Sequence, residues 1–360
     1  MNSKSPHSTQ SPSTRRPWAN VVKAEARARL VRFAEIRVKH PKLSEVVAEL
    51  RSLLTGVSES NIILITGATG VGKTTLSKEL STVCADLFHD ILEGDTSAIP
   101  AIAVEAYVNG EHRIGFPDIY KRMLGKLMEP GVDRKMFSVV EDGRLVLNSL
   151  ARKKTPTLRD AVEDGLRLRK TIVCTIDEAY QLLRFGGAAA VMDTFRSLSN
   201  STNGVKFLLI GSFDLFDLLW QNGQSARRAV LVNFDRYHVE ERADRLAWCK
   251  VVKMLQTAWP CDDVPNLAAV SDELMEACLG CVGLLKTLML DAAALQMGDD
   301  NEKWNGIYLA KAAKANALRE IIRKEIEAGE AKVRDALMGV CLWDDAKLAD
   351  MSRRMEVAHA

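Results

Sequence analysis

The octapeptide Gly67-Ala68-Thr69-Gly70-Val71-Gly72-Lys73-Thr74 constrains this chain more than any other feature. It matches the pattern GxxxxGK[ST] without a mismatch. An apolar run, Asn61–Thr66, precedes it, and an amphipathic helical pattern, Thr74–Phe88, follows. Glycines let the backbone wrap an anion with its N–H groups turned inward. The helix behind the loop aims its positive end at the same anion. The pattern therefore predicts a triphosphate site. Gly67, Ala68, Thr69, Gly70, Val71, Gly72, Lys73, Thr74 and Thr75 are expected to bind ATP. Lys73 would reach the β- and γ-phosphates, and the Thr74 hydroxyl would ligate Mg2+.

A loop of this kind needs a parallel sheet behind it, and the apolar runs supply one. Ala101–Val108, Thr171–Ile176, Val205–Ile210 and Ala229–Phe234 read as four further strands, with helical patterns between them. Continuous apolar strands suit a sheet covered on both faces. From Glu240 onward the pattern is helical throughout, at 240–258, 271–297, 305–328 and 330–351. The expected fold is α/β, a five-stranded parallel P-loop core with helices on both faces and a C-terminal helical lid. The expected division is a basic, disordered tail over 1–18, a helical segment over 19–60, the nucleotide-binding core over 61–239, and lid helices over 240–360. The segment 129–155 reads as irregular and charged.

The third strand ends in Asp177-Glu178. An apolar strand closing on two carboxylates is the second half of a phosphate-hydrolysing site. Asp177 is expected to hold Mg2+ and Glu178 to polarise the attacking water. Ser212 follows the fourth strand, where a polar side chain can contact the γ-phosphate or the water. Arg227-Arg228 precedes the fifth strand. One of the two is expected to act as an arginine finger on a neighbouring subunit's nucleotide. Lys286, in Gly283-Leu-Leu-Lys286, is expected to reach the nucleotide from the lid. Arg113, Lys121 and Arg122 gather after the second strand with Lys126, and a duplex phosphate backbone is their expected partner. Arg152-Lys153-Lys154 is a second basic run of the same kind.

Charge is distributed unevenly. Residues 1–51 carry 11 Lys/Arg against 4 Asp/Glu, whereas the remainder carries 38 against 43. A basic arm on a near-neutral body suits a polyanion. The N-terminus is polar without an apolar signal core, and no apolar run is long enough to span a bilayer. A cytoplasmic protein with no membrane contact is expected. Seven cysteines, an odd number, fit reduced thiols better than a disulfide framework. Cys278-Leu-Gly-Cys281 has metal-like spacing but lacks a second pair, so it reads as two buried core residues.

The ordered set of glycine loop, Asp177-Glu178-Ala179, Ile210-Gly211-Ser212, double arginine and helical lid resembles the AAA+ ATPases. More narrowly it is similar to the transposition ATPases TniB and TnsC, which are related to MuB and IstB. The residues that carry this are His40-Pro41 in the preceding helical segment, Ile63–Thr75, Thr175–Leu182, Phe207–Phe213 and Gly283–Leu290. The resemblance implies an ATPase that oligomerises as a ring or filament on duplex DNA. It also implies recruitment of a transposase and a target-selection protein, with hydrolysis driving disassembly. Ser212 and Lys286 depart from the residues usual at those places. The alternatives are a STAND-type nucleotide-gated switch, another AAA+ DNA-loading ATPase, or a small-molecule P-loop kinase. The first would carry C-terminal repeats, which this chain lacks, and the last leaves the basic arm and double arginine without a role.

Overall fold

The computed structural model describes residues 24–56, 60–106, 115–129, 138–141, 144–147, 154–218, 229–299, 301–313, 316–338 and 347. They divide into two compact units. The larger contains Lys39–His238, Leu279–Gly283 and Ala315–Ala360. The smaller contains Met1–Val38, Val239–Cys278 and Leu284–Lys314.

Five strands build the main sheet of the larger unit: β1 (Ile62–Gly67), β2 (Ala101–Glu105), β5 (Val173–Asp177), β6 (Lys206–Gly211) and β7 (Ala229–Phe234). All run parallel, in the order β2-β5-β6-β1-β7. Every residue of β1, β5 and β6 is buried, as the continuous apolar runs require of a sheet covered on both faces. Helices α2 (Pro41–Thr55), α3 (Lys73–Leu87), α4 (His89–Gly94), α5 (Phe116–Lys126), α6 (Lys154–Leu168) and α7 (Leu183–Ser201) belong to the same unit. Its core runs from Ile119, Met123 and Leu124 of α5 through Ile176 and Phe207 to Val191 and Phe195 of α7.

His40 caps α2, accepting at Nδ1 from the Leu43 N–H and facing the Tyr237 hydroxyl at 3.0 Å. Burial lowers its pKa to about 4, so the ring is neutral near pH 7 and serves as a core acceptor. In the segment expected to be irregular, β3 (Ser138–Glu141) and β4 (Arg144–Leu147) pair antiparallel. The overlooked signal is the Asp142-Gly143 dipeptide between two apolar stretches, the strongest short hairpin signature.

The expected single helix over 271–297 is two helices, α9 (Ser271–Ala277) and α10 (Val282–Met297). Leu279 and Gly280 break it with φ of 51° and 68°, the left-handed region. At 280 a Cβ would lie 1.8 Å from the Tyr237 carbonyl oxygen, so only glycine fits. The Tyr237 N–H donates to the Gly280 carbonyl at 3.0 Å and fixes the break. Cys278 and Cys281 are buried free thiols, as the core reading expects, and burial pushes Cys281 up to about 12.

The smaller unit is helical. It contains α1 (Ala24–Glu35), α8 (Arg242–Thr257), α9, most of α10, and α11 (Ile307–Ala312). A chain of edge-on rings, Phe33–Trp259–Trp304–Tyr308, runs through it with centroids 5.6–5.9 Å apart. Fully buried Gln296 closes the polar accounts nearby. Its Oε1 accepts from Trp259 Nε1 at 2.9 Å, and its Nε2 donates to the carbonyls of Asp263 and Glu302 at 2.8 Å each. Gln296→Ala strands one donor and two acceptors in the interior. The expected loss is about 3 kcal/mol of stability, read as a lower urea midpoint. A shift below about 1 kcal/mol would mean that the network is not what holds this unit.

Among the described residues no helix is long and apolar enough to cross a membrane.

Candidate nucleotide site

β1 delivers the phosphate loop from the middle of the sheet, between β6 and β7. Its register sets Thr66 beside Gly211 and Asn233, and Gly67 beside Phe234. A Cβ at Gly67 would meet the Phe234 carbonyl oxygen at 2.5 Å, so the loop must leave the sheet on a glycine. Gly70 and Gly72 have φ of 80° and 121°, a backbone that L side chains resist. The Leu76 N–H already donates to the Gly72 carbonyl at 2.9 Å, so the α3 helix is formed directly behind the loop.

Lys73 Nζ donates to the carbonyls of Gly67 and Ala68, both at 2.9 Å. Burial lowers its pKa, and the nearby carboxylates of Glu178 and Asp177 oppose that shift. Asp177 shows the converse. Burial raises its pKa, reinforced by the charges of Glu178 and Glu105, against the Glu178 N–H bond and Lys73. Each charge thus offsets part of the cost that burial imposes on the other. Glu178 has φ 56°, ψ 32°, a left-handed conformation that a non-glycine residue adopts only when its surroundings hold it there. Its N–H donates to Asp177 Oδ1 at 2.9 Å, which locks the two carboxylates in sequence at the strand end.

An open cleft of about 600 Å³ borders the loop helix. Thr74, Lys78, Glu105, Arg122, Lys126 and Asp177 line it. Positive-φ glycines at 70 and 72, a half-buried ammonium, and a threonine hydroxyl sharing a cleft with a buried carboxylate fit a nucleotide triphosphate with Mg2+.

Other expected residues stand as follows. Ser212 follows β6, and its Oγ donates to Asp214 Oδ2 at 3.2 Å at the start of the 3₁₀ turn Phe213–Leu218. Lys286 donates to the carbonyls of Ala34 at 2.6 Å and of Ile36, just beyond α1. The ammonium expected to read the nucleotide therefore clamps a chain segment of the smaller unit. A lysine satisfies terminal helix carbonyls as readily as a phosphate. Lys121 pairs with Asp118 at 3.8 Å on the α5 surface. Arg122 donates to the Glu105 carbonyl and lines the cleft. Arg113, Arg227 and Arg228 lie outside the described residues.

Two contributors were not expected. Glu105 ends β2 as Asp177 ends β5, and the strand register pairs them. Its signal is an apolar strand closing on a carboxylate, the same signal that marks Asp177. Gly283, the first residue of Gly283-Leu-Leu-Lys286, meets the loop. Its N–H donates to the Gly70 carbonyl at 2.7 Å. Local sequence gives no sign of that contact.

Residues 56–219 match the family model described as an AAA domain. No curated protein matches the chain. Among the solved structures that share its fold are two from one archaeal organism. ORC2 of Aeropyrum pernix, in ADPNP–ADP complexes, is 17% identical with a TM-score of 0.52, covering 77% of this chain and 68% of that one. ORC1 of the same organism, in complex with DNA, is 14% identical with a TM-score of 0.54, covering 79% and 68%. Residues 56–219 thus form an AAA domain that carries a complete phosphate loop on this five-stranded sheet, and the chain is an ATPase with ATP and Mg2+ as its ligands.

Proposed function

We propose that this ATPase regulates DNA transposition in the manner of TniB and TnsC. It assembles as a ring or filament on duplex DNA, recruits a transposase and a target-selection protein, and disassembles through hydrolysis. The observation that carries the reading is the motif order on one sheet edge. The loop follows β1, Asp177-Glu178 closes β5, Ser212 follows β6, and Gly283 rests on the loop. The DNA complex of ORC1 is a property of that protein, but it supports a polyanion as partner of the same fold.

In this mechanism the loop N–H groups and Lys73 bind the phosphates. Thr74 and Asp177 would hold Mg2+, which when bound would offset charge on the phosphate oxygens. Glu178 orients water and accepts its proton. Ser212 senses the nucleotide on leaving Asp214, and Arg227 or Arg228 of a neighbouring subunit stabilises the transition-state charge. Lys121 and Arg113 remain DNA contacts, Arg122 belongs to the cleft, and Lys286 reaches the nucleotide on leaving the carbonyls of Ala34 and Ile36.

The test is electron microscopy of the full chain with a non-hydrolysable ATP analogue, with and without duplex DNA of several lengths. Filaments that grow with DNA length and need both ligands are the expected result. Rings of fixed size would move the reading to a DNA-loading ATPase. Monomers under every condition would overturn the assembly and the finger in trans.

A further inference from the structure

The last described helix of the larger unit, α12 (Asn316–Met338), is docked on the phosphate loop. Ile326, Gly329 and Val333 form its buried stripe, spaced by three and four residues. A Cβ at Gly329 would lie 1.9 Å from the Phe213 ring, so the helix sits on that ring through a bare backbone. Glu330 takes a two-pronged hydrogen bond from Arg236, at 2.6 and 3.1 Å. Glu325 accepts from the Thr69 hydroxyl, inside the loop itself, at 3.1 Å. The outer face carries the exposed Arg323–Glu320 and Arg323–Glu327 pairs.

The two inner carboxylates differ in one respect. Glu330 is neutralised by a guanidinium, whereas the partner found for Glu325 is a neutral hydroxyl. Its charge acts on the loop, where it is one of the groups that favour the Lys73 ammonium. A triphosphate brings several negative charges to the same loop and the same ammonium. Negative charges gathered at one loop and beside one ammonium oppose each other.

We propose that α12 is an acidic cover on the phosphate loop, and that its docking and the binding of ATP are mutually antagonistic. Linkage makes the effect reciprocal. Docked α12 weakens ATP binding, and ATP loosens α12 by the same factor. Glu325 supplies the charge, while Gly329 on Phe213 and Glu330 on Arg236 set the helix where that charge counts.

The experiment uses the full chain, with hydrogen–deuterium exchange across 316–338 and titration of a fluorescent ATP analogue in Mg2+. Exchange in α12 is expected to rise when the analogue is added, and not to rise in Lys73→Ala. Glu325→Gln removes one charge at constant volume and is expected to tighten the analogue roughly two- to fivefold, the range for an exposed charge. Glu327→Gln removes the same charge from the outer face and should leave affinity unchanged. Gly329→Ala favours the helix intrinsically yet collides with Phe213. It should keep its circular dichroism and bind the analogue roughly tenfold more tightly, within the range of couplings between sites. If Gly329→Ala fails to fold, Glu325→Gln decides. Exchange that falls or stays constant on adding the analogue, or weaker binding by Glu325→Gln, would overturn the proposal and make α12 a supporting wall of the site.

Discussion

Glu178→Gln is expected to bind ATP with Mg2+ as the parent does while losing roughly 10²- to 10⁴-fold in turnover, the usual contribution of a positioned base. The amide keeps the shape of the carboxylate and can still orient water, but it cannot accept the proton. The backbone argues that the position is specialised. Glu178 sits in left-handed space, held through its N–H by Asp177, and a glutamine can occupy the same conformation. Single-turnover kinetics with a labelled nucleotide separates binding from chemistry. Turnover at the parent rate would remove Glu178 as the base and leave Glu105, which lines the cleft beside Asp177, to be tested in its place. Under the assembly reading, Glu178→Gln should also hold its DNA-bound oligomers longer, because hydrolysis is what dismantles them.

How much of this was legible depends on distance along the chain. The glycine loop and Asp177-Glu178 announce themselves locally, because each is a continuous apolar strand that ends in residues with no place inside a core. Ala229–Phe234 is placed to the residue. Pairing is another matter. That Glu105 stands beside Asp177 follows from β2 adding to β5 at the sheet edge, which no local pattern encodes. Lys286 carries two readings in sequence, because a lysine near a helix start can serve either a phosphate or a carbonyl, and the fold hands it the carbonyls of Ala34 and Ile36. The break at Leu279-Gly280 was missed because a single Gly inside an apolar helical pattern reads as a tolerated interruption. Thr69 and Glu325 are 256 positions apart, and their bond is invisible until the chain is folded. The signs that survive in sequence are those of chemistry confined to one loop; contacts that regulate the loop come from elsewhere.

Gly283 is where that distinction gives its largest structural effect. The break at 279–280 turns the chain so that the start of α10 delivers Gly283 to Gly70. Its N–H is one of the first-turn donors that a helix leaves unpaired, and here a loop carbonyl takes it at 2.7 Å. That bond fixes the Gly70 peptide, and so fixes which way the following loop N–H groups point. A Cβ at 283 would lie 2.6 Å from the same carbonyl oxygen. Ordinary contact begins near 3.4 Å, so Gly283→Ala must displace the loop by roughly 0.8 Å, and a shift of that order costs about 10²-fold in catalytic efficiency. Fold stability should suffer much less, because the buried core lies on the sheet, away from position 283. Isothermal titration with ATP, beside an unfolding curve, tests both parts. The expected pattern is affinity and kcat/KM that fall together while the unfolding midpoint moves little. Unchanged affinity would mean that the loop holds its shape without Gly283, and that the β1–α3 connection alone sets the phosphate cradle.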